Sequence, residues 1–137
     1  DKFGLSKTNL ISFCLNIKKL RYLNLNAISV HIGSQILSEN PFKKTLKVLE
    51  EIIKKTKMRF KYVDLGGGFG ITYKKNDKKI NLKNYSNLVE KFRKKYNCNI
   101  IFEPGRAIVG DTAILVAKVQ YLKKGSNKTF AILNAFR

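Results

Sequence analysis

Apolar positions in this chain fall into two alternating rhythms. Leu10, Cys14, Ile17 and Leu20, with Phe13 beside them, keep a helical spacing, and Ser6 stands where a side-chain cap would start that helix. Leu25 to Ile32 reads as a buried strand that ends at Gly33. Asn40-Pro41 marks a second helix, with Asn40 as N-cap and proline at the first helical position; Phe42, Leu46, Leu49 and Ile53 form its apolar stripe, and it ends near Thr56. Phe60 to Leu65 is the next strand and runs directly into three glycines. Lys74 to Lys83, polar and containing Asn76-Asp77, reads as an exposed loop. Asn84 can cap a third helix bearing Leu88, Phe92 and Tyr96, and Asn99 to Phe102 is a short strand that ends at Glu103. After Arg106 the rhythm changes. Ala113 to Leu122 is aliphatic and β-branched, Lys124-Gly125-Ser126-Asn127 is a turn, and Thr129 to Leu133 is another apolar run.

Three motifs close the three strands: His31-Ile32-Gly33-Ser34-Gln35, Asp64-Leu65-Gly66-Gly67-Gly68-Phe69-Gly70 and Glu103-Pro104-Gly105-Arg106. The steps are 35 residues from His31 to Gly66 and 37 from Gly66 to Glu103. Each step is about one strand, one helix and their two loops. The motifs would then face one mouth, as catalytic groups do at the strand C-terminal ends of a (β/α) barrel. The expected fold is α/β: part of a (β/α)8 TIM-like barrel over residues 1–112, leading into a β-domain that starts in residues 113–137. Such barrels run to about 250 residues, and 137 residues hold only three or four βα units. The chain is therefore expected to be an internal fragment with unpaired strand edges.

The formal net charge is +19, from 28 Lys and Arg against 9 Asp and Glu. A basic nucleic-acid-binding face is one reading of that charge. The basic residues, however, are spread over helices and loops, and few aromatics interleave the lysine runs to act as stacking platforms. Lysine far outnumbers arginine, and Asn, Ile, Phe and Tyr are also plentiful, so drift toward AT-rich codons accounts for the charge better. Cys14 and Cys98 lie far apart with no CxxC pair, which argues against a disulfide framework or zinc site and favours buried free thiols in a reducing, cytoplasmic compartment. The first residues are polar and charged, unlike a signal peptide, and no apolar run approaches a membrane span. A targeting segment lost from ahead of the fragment stays open.

The motifs carry chemistry. Three glycines after a strand let the backbone turn sharply and close its N–H groups around an anion, phosphate being the usual guest. The alternative is a tight strand–loop turn, which seldom needs three glycines and Gly70 besides. Neither the Walker loop nor the dinucleotide fingerprint fits. Glu103 and Arg106 are either a salt-bridged corner or a working pair, the carboxylate holding a proton on a ring nitrogen and the guanidinium gripping a phosphate or carboxylate. His31, the single histidine, is either a core residue or a cofactor contact. Together a phosphate cradle, a ring-nitrogen carboxylate and a flat imidazole describe a site for pyridoxal 5'-phosphate, whose ring stores the electron pair left when a carboxylate departs as CO2.

In this order and spacing, HIGSQ, DLGGGFGI and EPGRAIVG closely resemble the diaminopimelate decarboxylase family, of the fold-type III, alanine-racemase-like group of pyridoxal phosphate enzymes. The resemblance runs from Lys2-Phe3-Gly4 to the strand at Thr129–Ala135. It implies that His31 stacks on the cofactor ring and that Ser34, Gly66, Gly67, Gly68, Gly105 and Arg106 surround the phosphate. It also implies that Glu103 partners the pyridine nitrogen and that Arg106 reaches the substrate carboxylate. The reaction implied is meso-2,6-diaminopimelate to L-lysine and CO2, in a homodimer with active sites at the subunit interface, with no nucleic-acid or membrane partner and no metal. Ornithine and arginine decarboxylases are the nearest competitors. Their glycine loop typically carries proline where this chain has Gly70, and their histidine motif usually lacks a glutamine at the place of Gln35. Carboxynorspermidine decarboxylase and a non-catalytic pyridoxal phosphate-binding barrel are further alternatives. The family's Schiff-base lysine lies on the first barrel strand, before this segment, and its cysteine and tyrosine lie in the later β-domain. The segment alone is therefore expected to be inactive.

Overall fold

The computed structural model describes residues 3–17 and 19–135, so Lys2 lies outside it. In chain order the elements are α1 (Lys7–Ile17), β1 (Ala27–Ser29), α2 (Asn40–Thr56), β2 (Tyr62–Asp64), α3 (Leu82–Tyr96), β3 (Asn99–Ile101), α4 (Arg106–Val109), β4 (Val119–Lys124) and β5 (Thr129–Leu133). The strands β1, β2 and β3 form a parallel sheet in that order, with α2 and α3 as the crossovers that parallel pairing requires. The fold is thus mixed α/β with the βα repeat that the motif spacing anticipates. The strands β4 and β5 pair antiparallel as a separate hairpin.

Side chains alternate across the sheet. Ile28, Val63 and the half-buried Ile100 belong to the apolar layer formed with the helices. Phe42, Leu46, Leu49 and Ile52 of α2 and Tyr85, Val89 and Phe92 of α3 supply the rest, and Cys14 reaches it from α1. Ile53, expected in the stripe of α2, is only partly buried, and Ile52 takes the deeper place. Both thiols are buried and free, and burial pushes each above its ordinary pKa. Ion pairs at the surface tie α2 to both neighbours, Lys7 to Glu51 and Lys95 to Glu50.

Several boundaries differ from the pattern reading. Ser6 does receive the Asn9 N–H at 3.2 Å, but α1 ends at Ile17 and residues 19–23 run through turns, with Leu20 exposed. Asn40 is not the cap of α2. Glu39 occupies that position without a side-chain capping bond, its carboxylate accepting the Asn81 N–H at 3.1 Å instead, and Pro41 falls within the first turn, where a missing N–H costs nothing. Asn81, not Asn84, caps α3: its Oδ1 accepts the Asn84 N–H at 3.0 Å, so the helix starts earlier. Regular strand pairing is shorter than the apolar runs, although Tyr62 N–H to Asn26 and Val30 N–H to Asp64 extend the ladder at both ends. Residues 113–118 are not strand, because β5 offers β4 partners only as far as Val119. All residues of the hairpin strands except Ile132 are exposed.

Two outcomes follow for the core. Leu49, 1 % exposed, should lose about 2–5 kcal/mol on Leu49→Ala, read as a shift in a denaturant midpoint. The Tyr85 hydroxyl is buried without a hydrogen-bond partner among the described residues, and burial raises its pKa to about 12. The folded state therefore holds this proton more tightly than the unfolded chain, and stability falls as pH rises from about 10 to about 12. Tyr85→Phe should remove that alkaline decline and leave stability at neutral pH equal or higher; a loss at neutral pH would reveal a partner for the hydroxyl.

Candidate functional site

The sheet register explains the motif spacing. Ser29 pairs with Asp64, and Asp64 with Ile101. Two residues beyond that level stand His31, Gly66 and Glu103. The 35- and 37-residue steps are thus the register offsets of adjacent parallel strands, and the three motifs leave the sheet side by side.

The glycines are wedged between the flanking motifs. Gly66 has φ +64°, and a Cβ there would meet the Val30 carbonyl oxygen at 2.5 Å and the His31 Nδ1 at 3.2 Å. At Gly67 it would lie 2.1 Å from the Glu103 carbonyl oxygen, and at Gly68, with φ +89°, 2.2 Å from that of Gly33. Any side chain would force the loops apart. The Gly66 carbonyl accepts the Glu103 N–H at 2.8 Å, and the Gly68 carbonyl the Ile36 N–H at 2.9 Å. The tight-turn reading and the anion-cradle reading are therefore compatible: packing demands all three glycines, and the chain that results is bare backbone.

Neighbouring side chains hold this loop. Asp64 accepts the Gly66 N–H at 2.8 Å through Oδ1 and the Ser29 hydroxyl at 3.2 Å through Oδ2, an Asx-type closure of the turn. Phe69 stacks on Phe42 at 5.0 Å and meets Tyr85 edge-on at 5.0 Å, which anchors the loop to α2 and α3. Gly70 donates to the Ile36 carbonyl at 3.0 Å, completing a short parallel bridge between Ile36 and Phe69.

Glu103 and Arg106 do not form a salt-bridged corner. The Arg106 guanidinium instead donates to Gln35 Oε1 at 3.1 Å and lies 6.0 Å from the Tyr73 ring centre. No cation pairs with the Glu103 carboxylate among the described residues. His31, Ser34, Glu103 and Arg106 are all exposed, at the rim of the sheet. Gly105 has open space around it, so crowding does not dictate its bend as it does at the glycine triad. The structure thus brings His31 against Gly66, Glu103 against Gly67 and Arg106 against Gln35, with Ser34 in the same loop. The pattern reading gave no structural part to Asp64, Phe69 or Tyr73. An aspartate two residues before a tight glycine turn is a signal that could have marked Asp64.

Parallel strands joined by helices, with three glycines, an imidazole and an unpaired carboxylate gathered at one end, make this an α/β protein with a candidate site at its strand ends. The sequence model of the pyridoxal-dependent decarboxylases, pyridoxal binding domain, matches residues 1–110, and the chain belongs to that family. It is 38% identical to the diaminopimelate decarboxylase of Haemophilus influenzae over 136 residues, covering 96% of this chain and 32% of that protein. Against the diaminopimelate decarboxylase of Aquifex aeolicus it is 38% identical over 120 residues, covering 85% and 29%. The crystal structure of diaminopimelate decarboxylase from Helicobacter pylori complexed with L-lysine superposes with a TM-score of 0.76 at 32% identity, covering 98% of this chain and 34% of that one. The chain spans about a third of the length of these relatives.

Gly67→Ala places a methyl group inside the Glu103 carbonyl. It should cost several kcal/mol and separate the second motif from the third, seen as a lower thermal midpoint. Gly105→Ala, in open space, should change that midpoint little.

Proposed function

We propose that this chain is the central part of a pyridoxal 5'-phosphate-dependent diaminopimelate decarboxylase, a carboxy-lyase that converts meso-2,6-diaminopimelate to L-lysine and CO2 in lysine biosynthesis. The register that sets His31, Gly66 and Glu103 at one level is the observation that carries this reading. Residues 1–112 are part of a (β/α)8 barrel, and 113–137 open the following β-domain. Three features support that division. The outer edges of β1 and β3 have no strand partner among the described residues, Ile101 stands exposed on the face away from the helices, and the pairing changes from parallel to antiparallel after α4. The complete protein is a homodimer in a reducing, cytoplasmic setting.

The residues present fit the cofactor. A cradle for phosphate needs backbone without Cβ atoms and N–H groups that are not already used. Gly66, Gly67 and Gly68 provide the first, and the N–H groups of Gly67 and Gly68 meet no acceptor among the described residues. Ser34, Gly105 and Arg106 complete the phosphate site. Bound pyridoxal phosphate supplies a ring that takes up the electron pair left as a carboxylate departs as CO2. Glu103, with no competing cation, keeps a proton at the pyridine nitrogen. His31, braced by Gly66, presents a flat imidazole that limits the tilt of the ring. Arg106 offers its charge to the phosphate and to the substrate carboxylate. The Schiff-base lysine comes from outside this segment, so turnover needs the complete polypeptide.

Two residues favour diaminopimelate over the ornithine and arginine branch. Proline at position 70 would lose the N–H bond to Ile36 and press on Gln35, whose carbonyl carbon already lies 3.0 Å from an added Cβ. In this chain Gly70 and Gln35 go together.

Glu103→Ala in the complete enzyme should lower turnover of meso-diaminopimelate by about 100-fold or more, measured as CO2 release, because the ring nitrogen loses its charged partner. Unchanged turnover would sink the assignment.

A further inference from the structure

Gln35 stands in the left-handed region, with φ 59°. Its carboxamide lies along the backbone of Ile71. Its Nε2–H donates to the Ile71 carbonyl at 2.5 Å, and the Ile71 N–H donates to its Oε1 at 3.3 Å. A neighbouring strand would make the same two-point pairing, so the side chain extends by one step the backbone bridge between Ile36 and Phe69. These partners allow a single orientation of the amide, with oxygen toward the two donors and nitrogen toward the carbonyl. The remaining acceptor capacity of Oε1 takes Arg106 Nη1 at 3.1 Å. The Tyr73 ring centre lies 6.0 Å from the guanidinium, and the backbone N–H groups of Tyr73 and Lys74 each donate to Asp77 Oδ2 at 2.9 Å.

We infer that Gln35 is a positioning residue that aims the Arg106 guanidinium at the phosphate cradle while leaving its charge uncancelled. An exposed arginine with no carboxylate partner loses rotamer freedom when it binds an anion. A carboxylate anchor would fix its direction and neutralise it. A neutral carboxamide, itself locked on the Ile71 backbone just past the glycine loop, fixes direction alone. Because that anchor, from the loop after β1, is bonded to Ile71 three residues past Gly68, the arginine is tied to the glycine-loop side of the site. This inference rests on the cofactor reading above.

The test uses the complete polypeptide in its apo form, titrated with pyridoxal phosphate and with pyridoxal, the same ring without the phosphate. Gln35→Met keeps length and apolar volume and removes every hydrogen bond. It should weaken pyridoxal phosphate about tenfold and leave pyridoxal unchanged. The double variant with Arg106→Ala should bind pyridoxal phosphate no more weakly than Arg106→Ala alone. If Gln35→Met does not fold, Gln35→Glu serves: it keeps the acceptor but cancels the charge, and should again weaken the phosphate ligand selectively. Equal loss for both ligands, additive losses in the double variant, or unchanged affinity for pyridoxal phosphate would overturn the inference. A wild-type polypeptide that binds neither ligand would overturn the cofactor reading as well. Wild-type protein that binds both ligands and Arg106→Ala that weakens only pyridoxal phosphate, beside an inert Gln35→Met, would overturn only the role of Gln35.

Discussion

The site depends on steric exclusion at three consecutive residues. Gly66, Gly67 and Gly68 pass between the ends of β1 and β3 with carbonyl oxygens where Cβ atoms would otherwise sit. Removing side chains here lets three strand ends approach to backbone contact, and the hydrogen bonds from Glu103 to Gly66 and from Ile36 to Gly68 lock that approach. The same emptiness that permits packing leaves backbone N–H groups as the local chemistry. Packing and the proposed cofactor binding thus make one demand on the sequence rather than two competing ones.

Around this bare loop, side chains do work that backbone usually does. Asp64 closes the turn, Phe69 nails it to the helices, and the Gln35 carboxamide stands in for a strand neighbour along Ile71. The Asp64 contact is local, whereas those of Phe69 with Phe42 and of Gln35 with Ile71 cross from one βα unit to another. The rim groups His31, Glu103 and Arg106 consequently owe their relative places to the loop, while remaining exposed themselves. Rigid support beneath and open chemistry above is the arrangement a cofactor site needs, since preorganised groups lose little freedom when a ligand arrives.

The large positive charge has little part in this. Three of the most basic stretches lie on exposed ends of α2 and α3 and in the loop before α3, where they are solvated or paired locally, as Lys94 and Arg93 are with Glu90. Glu90 is held down to about 2 by the hydrogen bond from Arg93, with the charges of Arg93 and Lys94 adding to it. Such pairs bring opposite charges together on one helix face and leave the site untouched.

By itself the sequence determined the βα rhythm, the three motifs and their equal steps. Helical and strand periodicities are local, and the interval between motifs counts residues along one chain. It also carried the identity of the hairpin, because Gly125 and the apolar runs beside it are neighbours in sequence. Element ends were less legible. Asn84 looked like a cap, yet Asn81 is the cap and Asn84 its donor, a choice made by where α3 packs on the sheet. Tertiary structure alone decided that Arg106 answers to Gln35 and not to Glu103, that Phe69 belongs to the core, and that all three glycines are obligatory. These facts depend on which atoms of distant segments meet within a few ångströms, and residue spacing along the chain holds no measure of that distance.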